Sequence, residues 1–196
     1  MRIILASKSG VRKKILNDFK IDCQVIASQV DEDEVKQSLL AEGADPLIIS
    51  KNLAEIKSIK VSSKNPDRLV IGADSVISLQ DQLINKPRSR DEAFSILKKL
   101  NNSVHYLISS VCISKNGAMI WNHSDTSELK MKNLTEEQLK DYLGEIDTNT
   151  LLAYGVYQIE AEGMNLFEYI KGDHNSIMGL PIKSIINYIK QFKNND

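Results

Sequence analysis

The order of apolar and polar residues alternates between short continuous apolar runs and helical spacing, which predicts a mixed α/β fold. Strands are predicted at residues 2–6, 23–28 and 68–79, and a hairpin is predicted around Asn116-Gly117. Helices are predicted at residues 11–19, 31–40, 45–62, 89–100, 135–142 and 182–189. We therefore expect a single domain over residues 1–196, with helices packed around a sheet.

Three of these helices begin with residues that favour a helix start. Asp45-Pro46 places an N-cap residue before a proline at the first helical position. Ser89 with Glu92, and Thr135 with Gln138, have the spacing of a capping box. These pairs predict side-chain hydrogen bonds at the first turn of each helix.

The charge balance narrows the classes of protein to which the chain can belong. Its 196 residues include 25 Lys and Arg against 26 Asp and Glu, a formal net charge of −1. Such a chain has no broad positive field for a nucleic-acid polymer. It also shows no signal-peptide pattern and no apolar run of roughly 20 residues that would span a bilayer. We therefore expect a cytoplasmic protein that binds neither a membrane nor a nucleic-acid polymer.

The first candidate site lies in LASKSGVRKK, where a strand is followed by a turn with Ser7 and Ser9 and by a helix carrying Arg12 and Lys13. Helix N-termini present unpaired N–H groups and partial positive charge, so hydroxyls and cations beside one suit a phosphate. In the alternative, Ser9 is only the N-cap of a helix whose basic face is solvated. The sequence leaves both interpretations open.

Further candidates are charged residues in unusual surroundings. Asp74 lies inside the apolar run LVIGADSVISL, so its carboxylate must be paired, bound to a metal or shifted in pKa, unless it is hydrogen-bonded in a turn. Glu32 is either a second metal-binding carboxylate or part of an acidic first helical turn. Lys57 interrupts the apolar side of a helix and Lys86 precedes a proline, although each is also consistent with a solvated surface lysine.

Taken in order, these short segments resemble the Maf family of nucleotide pyrophosphatases. Family members carry LASxSPRR-like, xDE, LAxxKA, GADT, GKP, LSGxxH-like and G(D)xxxxxGLP segments. The corresponding segments here are ILASKS with Arg12 at 4–12, VDE at 30–32, LAEIK at 53–57, GADS at 72–75, NKP at 85–87, LNNSVH at 100–105 and GDHNSIMGLP at 172–181. The resemblance therefore extends over almost the whole chain.

The resemblance implies an enzyme that hydrolyses nucleoside triphosphates to monophosphate and pyrophosphate with a divalent cation, Mg²⁺ or Mn²⁺. It also implies an elongated mixed sheet with two lobes around a central cleft, similar to inosine-triphosphate pyrophosphatases, and a homodimer. Asp74 matches the position of the family's catalytic acid or base, and with Glu32 it is the expected metal ligand. Lys57 and Lys86 match charged residues of the cleft. Ser7, Ser9 and Arg12, followed by Lys13, match the phosphate-contacting start.

Three departures from the family pattern fall where members are thought to select the base. Val11 replaces the first arginine, Ser75 replaces a threonine, and Glu160 takes the position of a glutamine in the pyrimidine-preferring branch. A carboxylate only accepts hydrogen bonds, and guanine presents adjacent N–H and NH₂ donors. Val11 with Glu160 resembles the branch acting on 7-methylguanosine triphosphate, although that branch tends to place glutamine at position 75. We therefore hypothesise a purine or modified-purine substrate, and a house-cleaning enzyme for damaged nucleotides would share this chemistry and differ only in its substrate.

Two alternatives remain at this stage. One is an enzyme of the dTTP- or UTP-hydrolysing type, which shares the chemistry and differs in the base. The other is a nucleotide-binding regulator of septum formation or cell division that does not catalyse, because some family members have been linked to division arrest. Retention of both carboxylates and of the cleft cations favours catalysis.

Overall fold

The fold is taken from a computed structural model, which describes residues 3–159 and 162–195. Its strands are β1 (Ile3–Leu5), β2 (Cys23–Val25), β3 (Leu69–Leu79), β4 (Gln82–Ile84), β5 (Val104–Lys115), β6 (Ala118–Met131) and β7 (Phe167–Lys171). Its α-helices are α1 (Gly10–Asp18), α2 (Glu32–Ala41), α3 (Pro46–Ser62), α4 (Arg90–Leu100), α5 (Glu136–Glu145), α6 (Thr148–Tyr154), α7 (His174–Ile177) and α8 (Ile182–Asn195). A 3-10 helix covers Glu162–Leu166. The predicted mixed α/β class is confirmed.

The strands form one seven-stranded sheet in the order β2-β1-β3-β5-β6-β7, with β4 also paired to β3. The pairs β1–β2 and β1–β3 are parallel, and every other pair is antiparallel. On one edge of β3, β1 pairs with Leu69–Ile71 and β4 pairs with Ile77–Leu79. In the described residues, no strand pairs with positions 72–76 on that edge, so the sheet has a gap there.

The two faces of the sheet are covered differently. Helix α3 packs on the face to which Gly72 and Asp74 point, since residues two apart along a strand share a face. The opposite face carries two hydrophobic clusters at the two ends of β5. One cluster joins α1 and α8 to β1 and β3 around residues such as Val111, and the other joins α4, α5 and α6 to the sheet around Leu107.

The predicted helix starts are confirmed with one difference. Asp45 accepts a hydrogen bond from Ile48 N at 2.8 Å, and Thr135 and Gln138 form a complete capping box. Ser89 accepts from Glu92 N, but the Glu92 carboxylate accepts from Arg88 N at 2.7 Å, so that box is not closed. The Arg88 N–H can donate to Glu92 because it lies outside the helix and has no partner within it.

Several short elements had no counterpart in the sequence prediction, namely α6, α7, β7 and the 3-10 helix. Each is seven residues or fewer, too short for a helical or strand period to stand out from its neighbours. None of the helices in the described part of the chain combines the length and apolar character that crossing a bilayer requires.

Candidate active site

A cavity of about 380 Å³ opens at the gap in the edge of β3. Because neighbouring residues of a strand point to opposite faces, this cavity reaches Asp74 on one side of the sheet and Ser75 on the other. Of the predicted site residues in the described part of the chain, all but one line it: Ser7, Ser9, Val11, Arg12, Glu32, Lys57, Asp74, Ser75 and Lys86. Segments far apart in sequence therefore converge on one site.

The charges in the cavity favour a polyanionic ligand. Its described lining includes five cationic side chains and two carboxylates: Lys8, Arg12, Lys36, Lys57 and Lys86, with Glu32 and Asp74. The walls concentrate positive charge in a concave space, which strengthens attraction for an anion compared with a flat surface. The near-neutral chain thus carries a local positive site that its overall charge conceals.

Lys57 is the centre of the charged cluster. Its Nζ lies 2.7 Å from Asp74 Oδ1 and 2.7 Å from Glu32 Oε1. The side chains of Lys57 and Asp74 are only 6% and 7% exposed, whereas that of Glu32 is 43% exposed. Lys57 is therefore not a solvated surface lysine, since its ammonium compensates a carboxylate that would otherwise be costly to bury.

The close approach of α3 to β3 places Lys57 beside Asp74. Leu53, Ala54, Lys57 and Ser58 belong to the buried side of α3, at the spacing of one helical face. Gly72, two residues before Asp74, lies directly under this face: a Cβ at Gly72 would overlap the Ala54 carbonyl oxygen and lie 2.7 Å from Ser58 N. Glycine at position 72 is thus required by the packing that forms the cluster.

Each carboxylate retains capacity for a further ligand. Asp74 Oδ2 is buried and has no hydrogen-bond partner among the described residues. Burial alone would raise the pKa of Glu32, but the attraction and hydrogen bond of Lys57, aided by Lys36 and Lys86, bring it below its usual value. Glu32 is therefore ionised, and Asp74, a lining residue of the cavity, has one oxygen without a partner among the described residues.

Two neighbouring acidic residues at the start of α2 make different contacts. Asp31 is the N-cap of α2, and its Oδ1 accepts from Glu34 N at 3.0 Å. Glu32, the first residue of the helix, instead reaches Lys57. Glu32 therefore belongs to the acidic first turn of α2 and also pairs with Lys57, and its role as a metal ligand stays a prediction.

Arg12 joins three separate segments at the other side of the cavity. Its Nε donates to Gly179 O at 2.9 Å, its Nη1 to Ser7 Oγ at 3.3 Å and its Nη2 to Ser75 Oγ at 3.2 Å. Burial is the main influence on the pKa of Arg12 and lowers it from its usual value, opposed by the charges of Asp74 and Glu32. Most of the guanidinium thus bonds to the protein and fixes the shape of the cleft.

The hydroxyls near Arg12 also have partners. Ser9 caps α1, because its Oγ accepts from Arg12 N at 3.3 Å, and it lines the cavity as well. Ser75 Oγ lies 2.9 Å from Ser109 Oγ in addition to accepting from Arg12. Ser75, which replaces the larger threonine of the family pattern, therefore belongs to the hydrogen-bond network that holds Arg12.

Lys86 borders the cavity at the loop between β4 and α4. Its side chain is solvent-exposed, and its Nζ donates to Ala153 O at 2.7 Å, near the C-terminal end of α6. Desolvation by the cleft walls lowers the pKa of Lys86, with the nearby Arg12 acting in the same direction against Glu32 and Asp74. A cation near the last carbonyls of a helix is favourably placed.

The remaining part of the cavity is apolar and suits a ring. It is lined by Val11, Leu83, Leu107 and the segment 155–159 that follows α6. Within this segment, the hydroxyl group of Tyr157 contacts buried His105, whose Nε2 lies 3.0 Å from the hydroxyl oxygen. His105 is thus a structural residue of the core, in agreement with a family segment that ends in histidine.

Two predicted substrate-binding residues remain, of which Lys13 is not a lining residue of the cavity and Glu160 is outside the described part of the chain. Lys13 is exposed on α1, because it is turned by about 100° from Arg12 around the helix axis. The structure therefore does not bring Lys13 together with the other cations. Glu160 lies outside the described residues, directly after the lining residue Ile159.

The sequence reasoning missed several contributors to the cavity, among them Lys8, Lys36 and Gly179. Lys36 follows Glu32 by four residues, a helical spacing that places both on one face of α2 and could have identified it. Gly179 accepts from Arg12 through its backbone carbonyl, and no side-chain pattern signals such a contact.

The residues present fit a divalent cation that arrives with its substrate better than a resident metal. Within residues 3–159 and 162–195, no group of three or more His, Cys, Asp or Glu side chains is arranged to hold a metal. Mg²⁺, however, is commonly held by one or two carboxylates together with substrate phosphates and water. The unpartnered Asp74 Oδ2 and the half-exposed Glu32 supply such a partial set of oxygen ligands.

Fold and site together define a mixed α/β protein with a cleft whose positive charge suits an anionic ligand. The model of the family described as Maf-like protein matches residues 2–192. The chain therefore belongs to the Maf family, and the predicted resemblance is confirmed.

Three relatives extend this result over the full length. A nucleoside triphosphate pyrophosphatase of Pelagibacter ubique (strain HTCC1062) is 56% identical over 97% of this chain and 98% of its own. A nucleoside triphosphate pyrophosphatase of Ruegeria pomeroyi is 36% identical over 95% of this chain and 94% of its own. A 7-methyl-GTP pyrophosphatase of Brucella abortus biovar 1 is 34% identical over 98% of this chain and 97% of its own.

Two solved structures also match. The Ham1 protein of Staphylococcus aureus has a TM-score of 0.41 at 18% identity, over 68% of this chain and 73% of that one. A dITP/XTP pyrophosphatase of Mycobacterium abscessus has a TM-score of 0.43 at 9% identity, over 99% of this chain and 97% of that one.

Proposed function

We propose that this protein is a nucleoside triphosphate pyrophosphatase that releases a nucleoside monophosphate and pyrophosphate. The observation that carries the proposal is the convergence of five cations and two carboxylates in one cavity beside an apolar pocket. Such a site neutralises a triphosphate, holds a base and retains a free carboxylate oxygen. The activity named for relatives over nearly the whole chain supports the same conclusion.

In the proposed reaction, the oxygen of a water molecule bonds to the α-phosphorus of the nucleotide. The bond from that phosphorus to the oxygen bridging to the β-phosphate breaks, and pyrophosphate leaves with the electron pair. Asp74 Oδ2, which has no partner among the described residues, accepts the proton that the attacking water loses as its oxygen bonds to phosphorus. Lys57 holds the other oxygen of the same carboxylate, so the direction of Oδ2 is fixed.

The cations share the charge of the transition state. Phosphoryl transfer depends mainly on alignment and charge neutralisation rather than on covalent catalysis. Lys57 and Lys86 contact the phosphates, for which Lys86 exchanges its bond to Ala153 O for a stronger charged partner. Arg12 acts chiefly by fixing Ser7, Ser75 and Gly179 around the substrate, with its remaining N–H groups available to the anion.

Glu32 and Asp74 would hold the divalent cation, Mg²⁺ or Mn²⁺, together with the phosphates, and the two lone-pair sites of Asp74 Oδ2 allow it to serve both the ion and the water. When bound, that ion supplies further charge neutralisation and polarises water. Glu32 is suited to this task because its carboxylate is both ionised and half-exposed.

The proposed substrate is a guanine nucleotide, with 7-methyl-GTP as the first candidate. Val11 lines the apolar part of the cavity, and Glu160 follows directly on the lining segment 155–159. A carboxylate pairs with the adjacent N–H and NH₂ donors of guanine, and its charge favours the cationic 7-methylated base. The name of the relative in Brucella abortus is consistent with this choice.

The test is a nucleotide panel in which pyrophosphate release is measured with Mg²⁺ or Mn²⁺. We expect 7-methyl-GTP to be hydrolysed faster than dTTP and UTP, and the Glu160→Gln variant to lose part of that preference. Hydrolysis of dTTP or UTP at least as fast as any guanine nucleotide would overturn the base assignment. Binding without turnover for every nucleotide would instead support the regulator of cell division.

The assembly and location belong to the same proposal. We expect a homodimer in the cytoplasm that binds no nucleic-acid polymer. Light scattering coupled to size-exclusion chromatography tests the dimer, which requires the mass of two chains rather than one.

A further inference from the structure

Lys57 is the counter-ion of the two carboxylates that are proposed to bind the divalent cation. Its ammonium lies at the same distance, 2.7 Å, from Glu32 Oε1 and from Asp74 Oδ1. A single positive charge thus joins two carboxylates that would otherwise repel each other, in a position where its own side chain is almost fully buried. The contact is imposed by the fold, because α3 is fixed against Gly72 and Asp74 belongs to the central strand β3.

A divalent cation bound to these carboxylates would lie close to this ammonium. Magnesium binds its oxygen ligands at about 2.0–2.1 Å, so a metal on either carboxylate approaches the Lys57 ammonium within the range where like charges repel strongly. The other cations of the cavity, Lys36 and Lys86 among them, add to the repulsion. The negative charge that would attract a free metal ion is therefore already compensated by the ammonium of Lys57.

A triphosphate changes this balance. It offers anionic oxygens to the ammonium of Lys57 and to the metal at the same time. The phosphates and the carboxylates together then compensate both positive charges. A metal–nucleotide complex is also still an anion, and the surplus of cations in the cavity attracts it. The same charges that repel the free metal thus favour the complex.

We propose that Lys57 competes with the divalent cation for Glu32 and Asp74, so that the metal binds this protein together with the nucleotide and not before it. The inference rests on the proposed function, since it concerns the metal of that reaction. It assigns Lys57 a second task besides contacting phosphate, namely excluding free metal from the carboxylates. It predicts strong positive coupling between nucleotide and metal, with little affinity for either metal alone.

The experiment titrates Mn²⁺ against the full-length protein without nucleotide and follows free Mn²⁺ by electron paramagnetic resonance. The variants are Lys57→Met and Lys57→Gln, with Lys51→Met as a control that removes an exposed lysine from the same helix. A buffer near pH 8 holds the carboxylates ionised after their counter-ion is removed. Circular dichroism checks that each variant is folded.

We expect wild type and Lys51→Met to bind Mn²⁺ weakly, and the Lys57 variants to bind it about tenfold more tightly or better, since a like charge has been removed. Adding Asp74→Asn to Lys57→Met should cancel the gain. When a non-hydrolysable triphosphate analogue is added, wild type should bind more Mn²⁺ than the same analogue binds in a sample without protein.

Micromolar Mn²⁺ binding by wild type without nucleotide would overturn the inference, whether or not the Lys57 variants fold. Equal Mn²⁺ affinity of folded Lys57 variants and wild type would overturn it as well. If wild type still releases pyrophosphate in either case, the proposed function stands and only the role of Lys57 fails. If the Lys57 variants gain Mn²⁺ affinity but wild type hydrolyses no nucleotide, the proposed function fails and the competition stands.

Discussion

At the scale of single residues, Asp74 combines burial with an unused acceptor. One of its oxygens is held by Lys57 at 2.7 Å, and the other has no partner in residues 3–159 and 162–195. A buried acceptor without a partner reduces stability, so its presence in the wall of a charged cavity points to a ligand. The residue therefore serves the site rather than the stability of the strand.

Replacing Asp74 by Asn should abolish most turnover while retaining the fold. The amide can still accept from Lys57 but supplies no anionic oxygen to the water, and loss of a general base costs about 10²–10⁴ in rate. Pyrophosphate release at saturating nucleotide and metal measures the effect. Asp67→Asn, on an exposed loop, is the matched control, and a folded Asp74→Asn protein with near-normal turnover would refute the assignment.

His105 makes stability depend on pH, because burial lowers its pKa from 6.5 to about 4. The unfolded chain binds this proton more readily than the folded one, so the free energy of unfolding should fall as the pH drops below about 6.5. Between about pH 7 and pH 5, the loss should approach 2 kcal/mol. Urea unfolding of wild type and His105→Gln across this range measures it, and equal pH dependence in the two proteins would contradict the prediction.

At the scale of elements, the site depends on how closely α3 packs against β3. The helix presents small or flexible side chains to the strand at Ala54, Lys57 and Ser58. The strand has Gly72 at the point of contact. Ser58 Oγ also lies 2.7 Å from Ser114 Oγ on β5, so polar contacts continue the packing across the sheet. The position of Lys57 is therefore set by backbone-to-backbone contact.

The Gly72→Ala variant should be destabilised by about 3 kcal/mol, because the added methyl group overlaps the Ala54 carbonyl and forces the helix away. It should also lose turnover, as Lys57 moves with α3. Chemical denaturation and pyrophosphate release measure the two effects. Gly144→Ala is the control: a Cβ there meets nothing within 4 Å, so the variant should be as stable as wild type or slightly more so.

At the scale of the whole molecule, Arg12 connects parts of the chain that are distant in sequence. It links the start of the chain at Ser7 with β3 at Ser75 and with the turn before α8 at Gly179. These segments surround the cavity between the two hydrophobic clusters. Arg12 therefore stabilises the cleft as a unit.

Arg12→Met should lower the free energy of unfolding by about 2 kcal/mol or more, because it leaves the Gly179 carbonyl and two hydroxyls without their charged donor. Arg12→Lys should not restore it, since one ammonium lacks the planar fork that reaches three acceptors. Urea denaturation provides the measurement. The neighbouring exposed Lys13→Met should change stability by about 0.5 kcal/mol or less, and equal losses for both methionine variants would refute this role.

Several features were determined by the sequence alone because they depend on local interactions. Helical periodicity and caps defined α3 and α5, and Asn116-Gly117 defined the β5–β6 hairpin. The ordered short segments between residues 4 and 181 indicated the family, and the family model, which matches residues 2–192, confirms it. Local signals also located the charged residues, but not their partners.

The tertiary structure decided which of these charges act together. Lys57 and Asp74 become a pair only when α3 is packed on β3, and Arg12 reaches Gly179 only when the two ends of the chain meet. It also separated Arg12 from Lys13, which are adjacent in sequence but differ in exposure because of helix rotation. Long-range contacts depend on the packing of whole elements, so no local pattern of residues encodes them.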